Sequence, residues 1–222
     1  MLEQMRKEVC EGNLALARHG LVAWTGGNLS AIDRDRGVIV IKPSGMLYDD
    51  MTPEDMVVVD FDGKVVEGEH GPSSDTLSHL QIYAGREDVG AVVHTHSTYA
   101  TAFAAVGREI PCCLTAIADE FGGPIPCGGY ARIGSDEIGK ELLASIGHSP
   151  AILMKQHGVF TIGATITKAL QAAVMVEDVA KTVAVAHTLG TITDLPADEI
   201  AANYDRYTHR YGTMAASEGV TQ

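Results

Sequence analysis

The sequence predicts one domain that mixes helices and strands, and three observations carry that prediction. Segments with an apolar residue every three or four positions alternate along the chain with short runs rich in β-branched residues. Apolar residues make up 45% and charged residues 20% of the 222 positions, the balance of a globular chain long enough to bury a core without disulfides. No linker, internal repeat or low-complexity tract divides residues 1–222.

In chain order, Leu2, Met5, Val9 and Leu16 recur at helical spacing, and Gly20 stands where that opening helix would stop. TGGNLS (25–30) reads as a turn and VIVIKP (38–43) as a strand. VVVDFDGKVVEG (57–68) reads as a hairpin turning at Asp62-Gly63. After the turn-rich HGPSSD (70–75), TLSHLQIYAG (76–85) is helical in pattern. GAVVHTH (90–96) follows as a buried strand that leads into a helix over 97–107. AILMKQ (151–156) and VFTI (159–162) form a strand pair around His157-Gly158. A long helix then runs from Thr165 to Leu189, stopped by Gly190, and a last helix spans 198–212. Residues 213–222 read as a flexible tail.

Composition also excludes partners. A net charge of -13 argues against nucleic acid or an anionic membrane surface. No apolar run has the length of a membrane span, and the charged, amphipathic N-terminus does not read as a signal peptide, so a cytoplasmic location is expected. Cys10, Cys112, Cys113 and Cys127 lack C-x-x-C spacing and read as reduced thiols.

His94 and His96 lie two apart on a strand, so both rings point to one face and can reach one ion. Alone, such a pair reads equally well as buried polar residues satisfied by hydrogen bonds. His157 is the best third ligand, because Gln-His-Gly interrupts an apolar segment where packing does not require it. Three imidazoles with an open position suit Zn2+, Mn2+ or Co2+. Asp75 offers a further carboxylate ligand or an acid/base, and His79, one helical turn later, could orient it. The other histidines read as surface or core residues.

Three clusters of small residues, Thr25-Gly26-Gly27-Asn28, Ser44-Gly45 and Ser73-Ser74, carry hydroxyls, an amide and approachable backbone N–H groups of the kind that cradle phosphate. Lys42 could add a charge-assisted bond. Each cluster singly also reads as an ordinary turn. Neither a P-loop nor a G-x-G-x-x-G fingerprint is present, which argues against ATP hydrolysis and dinucleotide redox chemistry.

Together, LVAWTGGNLSAIDRDRGVIVIKPSG, PSSDTLSH, VVHTHS, IADEFGGPIPC and QHGVFTIG resemble the L-ribulose-5-phosphate 4-epimerase and L-fuculose-1-phosphate aldolase superfamily, the class II aldolase/adducin family. The resemblance covers roughly residues 1–190 and reaches 212 more loosely. It implies a three-layer α/β/α fold with a largely antiparallel central sheet and a homotetramer with active sites between subunits. It also implies a zinc-type metal on His94, His96 and His157, and phosphate contacts from Gly27, Asn28, Ser44, Gly45, Ser73 and Ser74.

The implied substrate is a small phosphorylated sugar whose C3–C4 bond breaks in the retro-aldol sense. Ser73-Ser74-Asp75, and Asp119 at the position of the epimerase carboxylate, resemble the 4-epimerase that interconverts L-ribulose 5-phosphate and D-xylulose 5-phosphate. Thr115 stands where the fuculose aldolase has a tyrosine. The C-terminus departs the other way. Ala216 and Ser217 replace the epimerase's terminal tyrosines, whereas Arg210-Tyr211-Gly212 resembles the aldolase ending and makes Tyr211 the candidate phenol. The expectation is therefore the epimerase, with an aldolase that releases dihydroxyacetone phosphate as alternative. A non-catalytic adducin-like module comes third, and retention of all three histidines speaks against it.

Overall fold

The computed structural model describes residues 2–211. The expected tail, with Gly212, Ala216 and Ser217, lies outside them. The chain opens with α1 (Leu2–Arg18) and lays down β1 (Asn28–Asp33), β2 (Val38–Ile41), β3 (Val57–Asp60) and β4 (Val65–Glu67). It continues through α2 (Thr76–Gly85), β5 (Ala91–Thr95), α3 (Thr98–Val106), α4 (Thr115–Phe121), β6 (Cys127–Gly128) and α5 (Glu137–Ser145). β7 (Ala151–Met154), β8 (Gly158–Gly163), α6 (Ile166–Leu189) and α7 (Ala197–His209) complete the described residues.

The eight strands form one sheet in the order β4-β3-β2-β1-β5-β8-β7-β6, antiparallel except for the β6–β7 pair. Strand side chains alternate between faces, and here the alternation divides the core. Ile39, Ile41, Val57, Val59, Val92, Ile152, Phe160 and Ile162 meet Leu80 and Tyr83 of α2 and Ile138 and Leu142 of α5 on one face. Val40, Val58, Leu29 and Val93 meet α1 and α6 on the other, where α3 and α4 also pack. This is the three-layer α/β/α arrangement with a largely antiparallel sheet. No described helix is long and apolar enough to cross a membrane.

The sequence pattern assigned no element between 108 and 150, whereas the structure places α4, β6 and α5 there. α4 is too short for periodicity to register, and it ends at Gly122 in the left-handed conformation (φ 67°). In α5, Gly139 interrupts the apolar pattern for a packing reason. A Cβ at that position would lie 2.5 Å from Gln81 Cβ and 3.0 Å from Ser78 O, so only glycine lets α5 approach α2 this closely.

Candidate metal centre

Backbone pairing assembles the site at one end of the three central strands. Asn28 pairs with His94, and His94 with Phe160, so their side chains share the sheet face that α2 covers. His94 is held on two sides: its Nδ1 donates to Val159 O (2.9 Å), and its ring stacks on Phe160 with centroids 4.2 Å apart and 19° between planes. Donation from Nδ1 fixes the tautomer and leaves the Nε2 lone pair for a ligand role.

His96 stands just past the end of β5. His157 sits in the turn between β7 and β8, after Gln156, whose φ of 58° is a strained conformation for a non-glycine residue. Potential ligand atoms of His94, His96 and His157 lie within 4.8 Å of one another. Gly158 makes the convergence possible, because a Cβ there would come within 2.5 Å of His96 Cδ2 and 2.6 Å of Thr95 O.

Electrostatics keep His94 and His157 neutral. Burial pushes the His94 imidazole down to about 3 against the opposing pull of Asp75, and burial followed by the neighbouring His96 lowers His157. Asp75 lies with its Oδ2 4.0 Å from His94 Nε2. Burial works to raise its carboxyl, but His94, His79, the Asn28 amide and His157 outweigh it and hold the group below the usual carboxylate range. Three converging imidazoles beside an ionised carboxylate form a donor set that fits a divalent ion of the zinc type, and the buried Nδ1 of His157 has no hydrogen-bond partner among the described residues.

Around the triad, the three small-residue loops converge on a cleft of about 300 Å³ that Gly27, Asn28, Ser44, Gly45, Ser73, Ser74, Asp75, His94, His96 and His157 all line. Gly27 meets two demands at once: its φ is 78°, and a Cβ there would strike Val22 Cγ1 at 2.6 Å. The Tyr48 hydroxyl donates to Gly26 O and Gly27 O, both at 2.9 Å, and fixes the loop from below.

Two expected phosphate ligands have other work in this structure. Lys42 is buried, and its Nζ donates to Thr25 O (3.2 Å), Pro43 O (3.3 Å) and Met46 O (3.0 Å). An ammonium has three protons to donate, so Lys42, which also lines the cleft, ties two of its loops together. Burial lowers it to about 8. Asn28 spends its Nδ2 protons on Asp75 Oδ2 (2.7 Å) and Ser73 Oγ (3.0 Å). It thereby takes the role expected of His79, which instead pairs its Nδ1 with Ser30 Oγ at 2.7 Å.

Asp119 and Tyr211 do not reach the cleft within one chain. Asp119 belongs to α4, which packs on the opposite face of the sheet, and both its oxygens accept from Arg206 Nη2 at 2.8 and 3.0 Å. Tyr211 is exposed and lies against Tyr207, with ring centroids 5.0 Å apart. Sequence reasoning missed Phe160, whose alternation within β8 places it under His94, and Ile133, which lines the cleft from a loop with no pattern of its own.

Comparison with known proteins agrees with this geometry. Residues 7–184 match the family described as Class II Aldolase and Adducin N-terminal domain. An L-fuculose 1-phosphate aldolase structure is 31% identical with a TM-score of 0.87, covering 92% of this chain and 96% of its own. YgbL of Escherichia coli, whose activity is described only as aldolase, epimerase or decarboxylase, is 26% identical with a TM-score of 0.77, covering 91% and 99%. L-fuculose 1-phosphate aldolase from Glaciozyma antarctica PI12, at 20% identity, shares the fold with a TM-score of 0.78 over 92% of this chain and 81% of that one.

Proposed function

The chain belongs to the class II aldolase and adducin family, and from that premise we propose that it is a divalent-metal sugar-phosphate aldolase that cleaves the C3–C4 bond of a ketose 1-phosphate. The observation that carries this reading is the convergence of His94, His96 and His157 beside the ionised Asp75, in a cleft bordered by three small-residue loops. Retention of that cluster also favours an enzyme over an adducin-like binding module.

The three histidines would hold the ion, zinc or another such as Mn2+ or Co2+. When bound, such an ion supplies Lewis acidity toward the ketose oxygens. The remaining work falls to the chain. The Ser44, Ser73 and Ser74 hydroxyls and the Gly27 and Gly45 backbone would bind the phosphate. The Ser44 and Ser73 amides are already committed to Gly71 O and Lys42 O. Asp75, aimed by Asn28, would move the proton that bond cleavage requires, taking it from the C4 hydroxyl as the C3–C4 electron pair passes toward the carbonyl. Return of that proton to C3 would complete the reaction and give dihydroxyacetone phosphate and an aldehyde.

A second reading, the 4-epimerase, is favoured by Asp119 and by Thr115 in place of an aldolase tyrosine. It requires Asp119 and Tyr211 to act on the cleft of a neighbouring copy, as they would in a homotetramer with active sites between subunits. A phosphorylated, metabolically internal substrate fits a cytoplasmic location.

The two readings separate in one experiment. Metal-loaded protein is incubated with L-fuculose 1-phosphate and related ketose 1-phosphates and, separately, with L-ribulose 5-phosphate. Release of dihydroxyacetone phosphate supports the aldolase. Appearance of D-xylulose 5-phosphate without free aldehyde supports the epimerase. Neither product from protein holding stoichiometric metal would sink both.

A further inference from the structure

The metal ligands differ in how firmly they are held. His94 is pinned by a carbonyl and a stacked ring, and His157 sits in a tight turn closed by its N–H to Met154 O at 3.0 Å. His96 is exposed and lies past the end of β5, where no ladder bond fixes it. Two residues later α3 begins, so the start of that helix sets the direction in which the chain leaves His96.

The first N–H groups of a helix have no partners within the helix and are commonly met by the N-cap side chain. Ser97 holds that position in α3 but makes no capping bond, and its buried hydroxyl has no hydrogen-bond partner among the described residues. The cap comes instead from the middle of α6. Glu177 accepts from Tyr99 N at 2.9 and 3.1 Å and from Ala100 N at 2.9 Å, using both carboxylate oxygens. A carboxylate there also meets the positive end of the helix dipole. Ala100, Phe103 and Ala104 of α3 pack against Val176, Val179 and Ala180 of α6, so the anchor is itself rigid.

Resting on the reading that the three histidines hold a metal, we propose that Glu177 is a positioning residue for that centre: by clamping the first turn of α3 to α6 it fixes the backbone that carries His96. A cap with only a structural role would change folding stability and leave metal affinity alone.

The test is zinc affinity, measured by competition with a chromogenic chelator, for parent, E177A, E177Q, H96A and the E177A/H96A double variant, with circular dichroism to verify folding. E177A should weaken zinc binding about 10-fold, the scale of a lost supporting contact at a metal site. E177Q keeps the side-chain volume and one acceptor oxygen, should lose less, and is the variant to read if E177A does not fold. In the H96A background, adding E177A should cost less than about 2-fold more, because its effect runs through His96.

Parent-level affinity in both folded Glu177 variants overturns the inference, as does a full additive loss in the H96A background. A parent protein that takes up no zinc overturns the metal reading itself, and this inference with it.

Discussion

Gly158→Ala is a small perturbation aimed at the point where the histidines crowd together. The backbone at Gly158 does not adopt a positive φ, so alanine meets no conformational penalty there and the effect is steric. The new methyl would sit 2.5 Å from His96 Cδ2, about 0.9 Å short of ordinary contact at 3.4 Å, and 2.6 Å from Thr95 O and 3.2 Å from His94 Cε1. The Thr95 carbonyl cannot retreat, because β5 is paired to β8 through Thr95 and Val159 and Gly158 is itself paired to Met154. The His96 ring must move instead.

Metal–ligand distances tolerate shifts of only about 0.2 Å, so zinc affinity should fall about 10- to 100-fold. Overpacking should cost the apoprotein about 1–3 kcal/mol. Chelator-competition titration reads the first effect and urea unfolding of apoprotein the second. Gly123→Ala, where a Cβ meets nothing within 4 Å, serves as the silent control. Parent-level zinc affinity in G158A would refute the argument that this glycine makes room for the triad.

Asp75→Asn should leave zinc bound within a few-fold of parent while turnover falls by about 100- to 10,000-fold, the range for a lost acid/base; equal losses in affinity and rate would make Asp75 a ligand instead. Lys42→Met should lower apoprotein stability by about 1–3 kcal/mol, because the carbonyls of Thr25, Pro43 and Met46 lose their donor. A variant as stable as the parent by urea unfolding would end the clamp assignment. Burial lowers His79 to about 4 in the folded chain, against 6.5 for the free side chain. Between those values the unfolded chain binds a proton that the folded one refuses. The contribution is therefore complete above pH 6.5 and is lost as pH falls toward 4, by up to about 3 kcal/mol. His79→Gln should flatten that part of the apoprotein stability profile, and an unchanged slope would show that His79 is not its source.

The helices 76–85 and 165–189, and the strand expected over 90–96, were legible in the sequence because their periodicity is strong and their ends are marked by glycine or by turn residues. The convergence of the three histidines was legible too, since His94-x-His96 follows strand period and His157 breaks an apolar run without a packing reason. What the local pattern does not carry is partner choice. Lys42 and Asn28 read as phosphate donors because a free ammonium and a free amide have protons to offer, and only the folded chain shows those protons already given to carbonyls, Asp75 and Ser73. Asp119 likewise reads as an acid/base by position, yet which face of the sheet α4 packs on is decided by the apolar contacts of Ile117, Ala118 and Phe121 with α6 and its surroundings. Residue identity and spacing reveal which groups have the chemistry for a metal, a proton and a phosphate. Packing settles which of them are free to use it, because hydrogen-bond donors are few, directional and spent by neighbours distant in the chain.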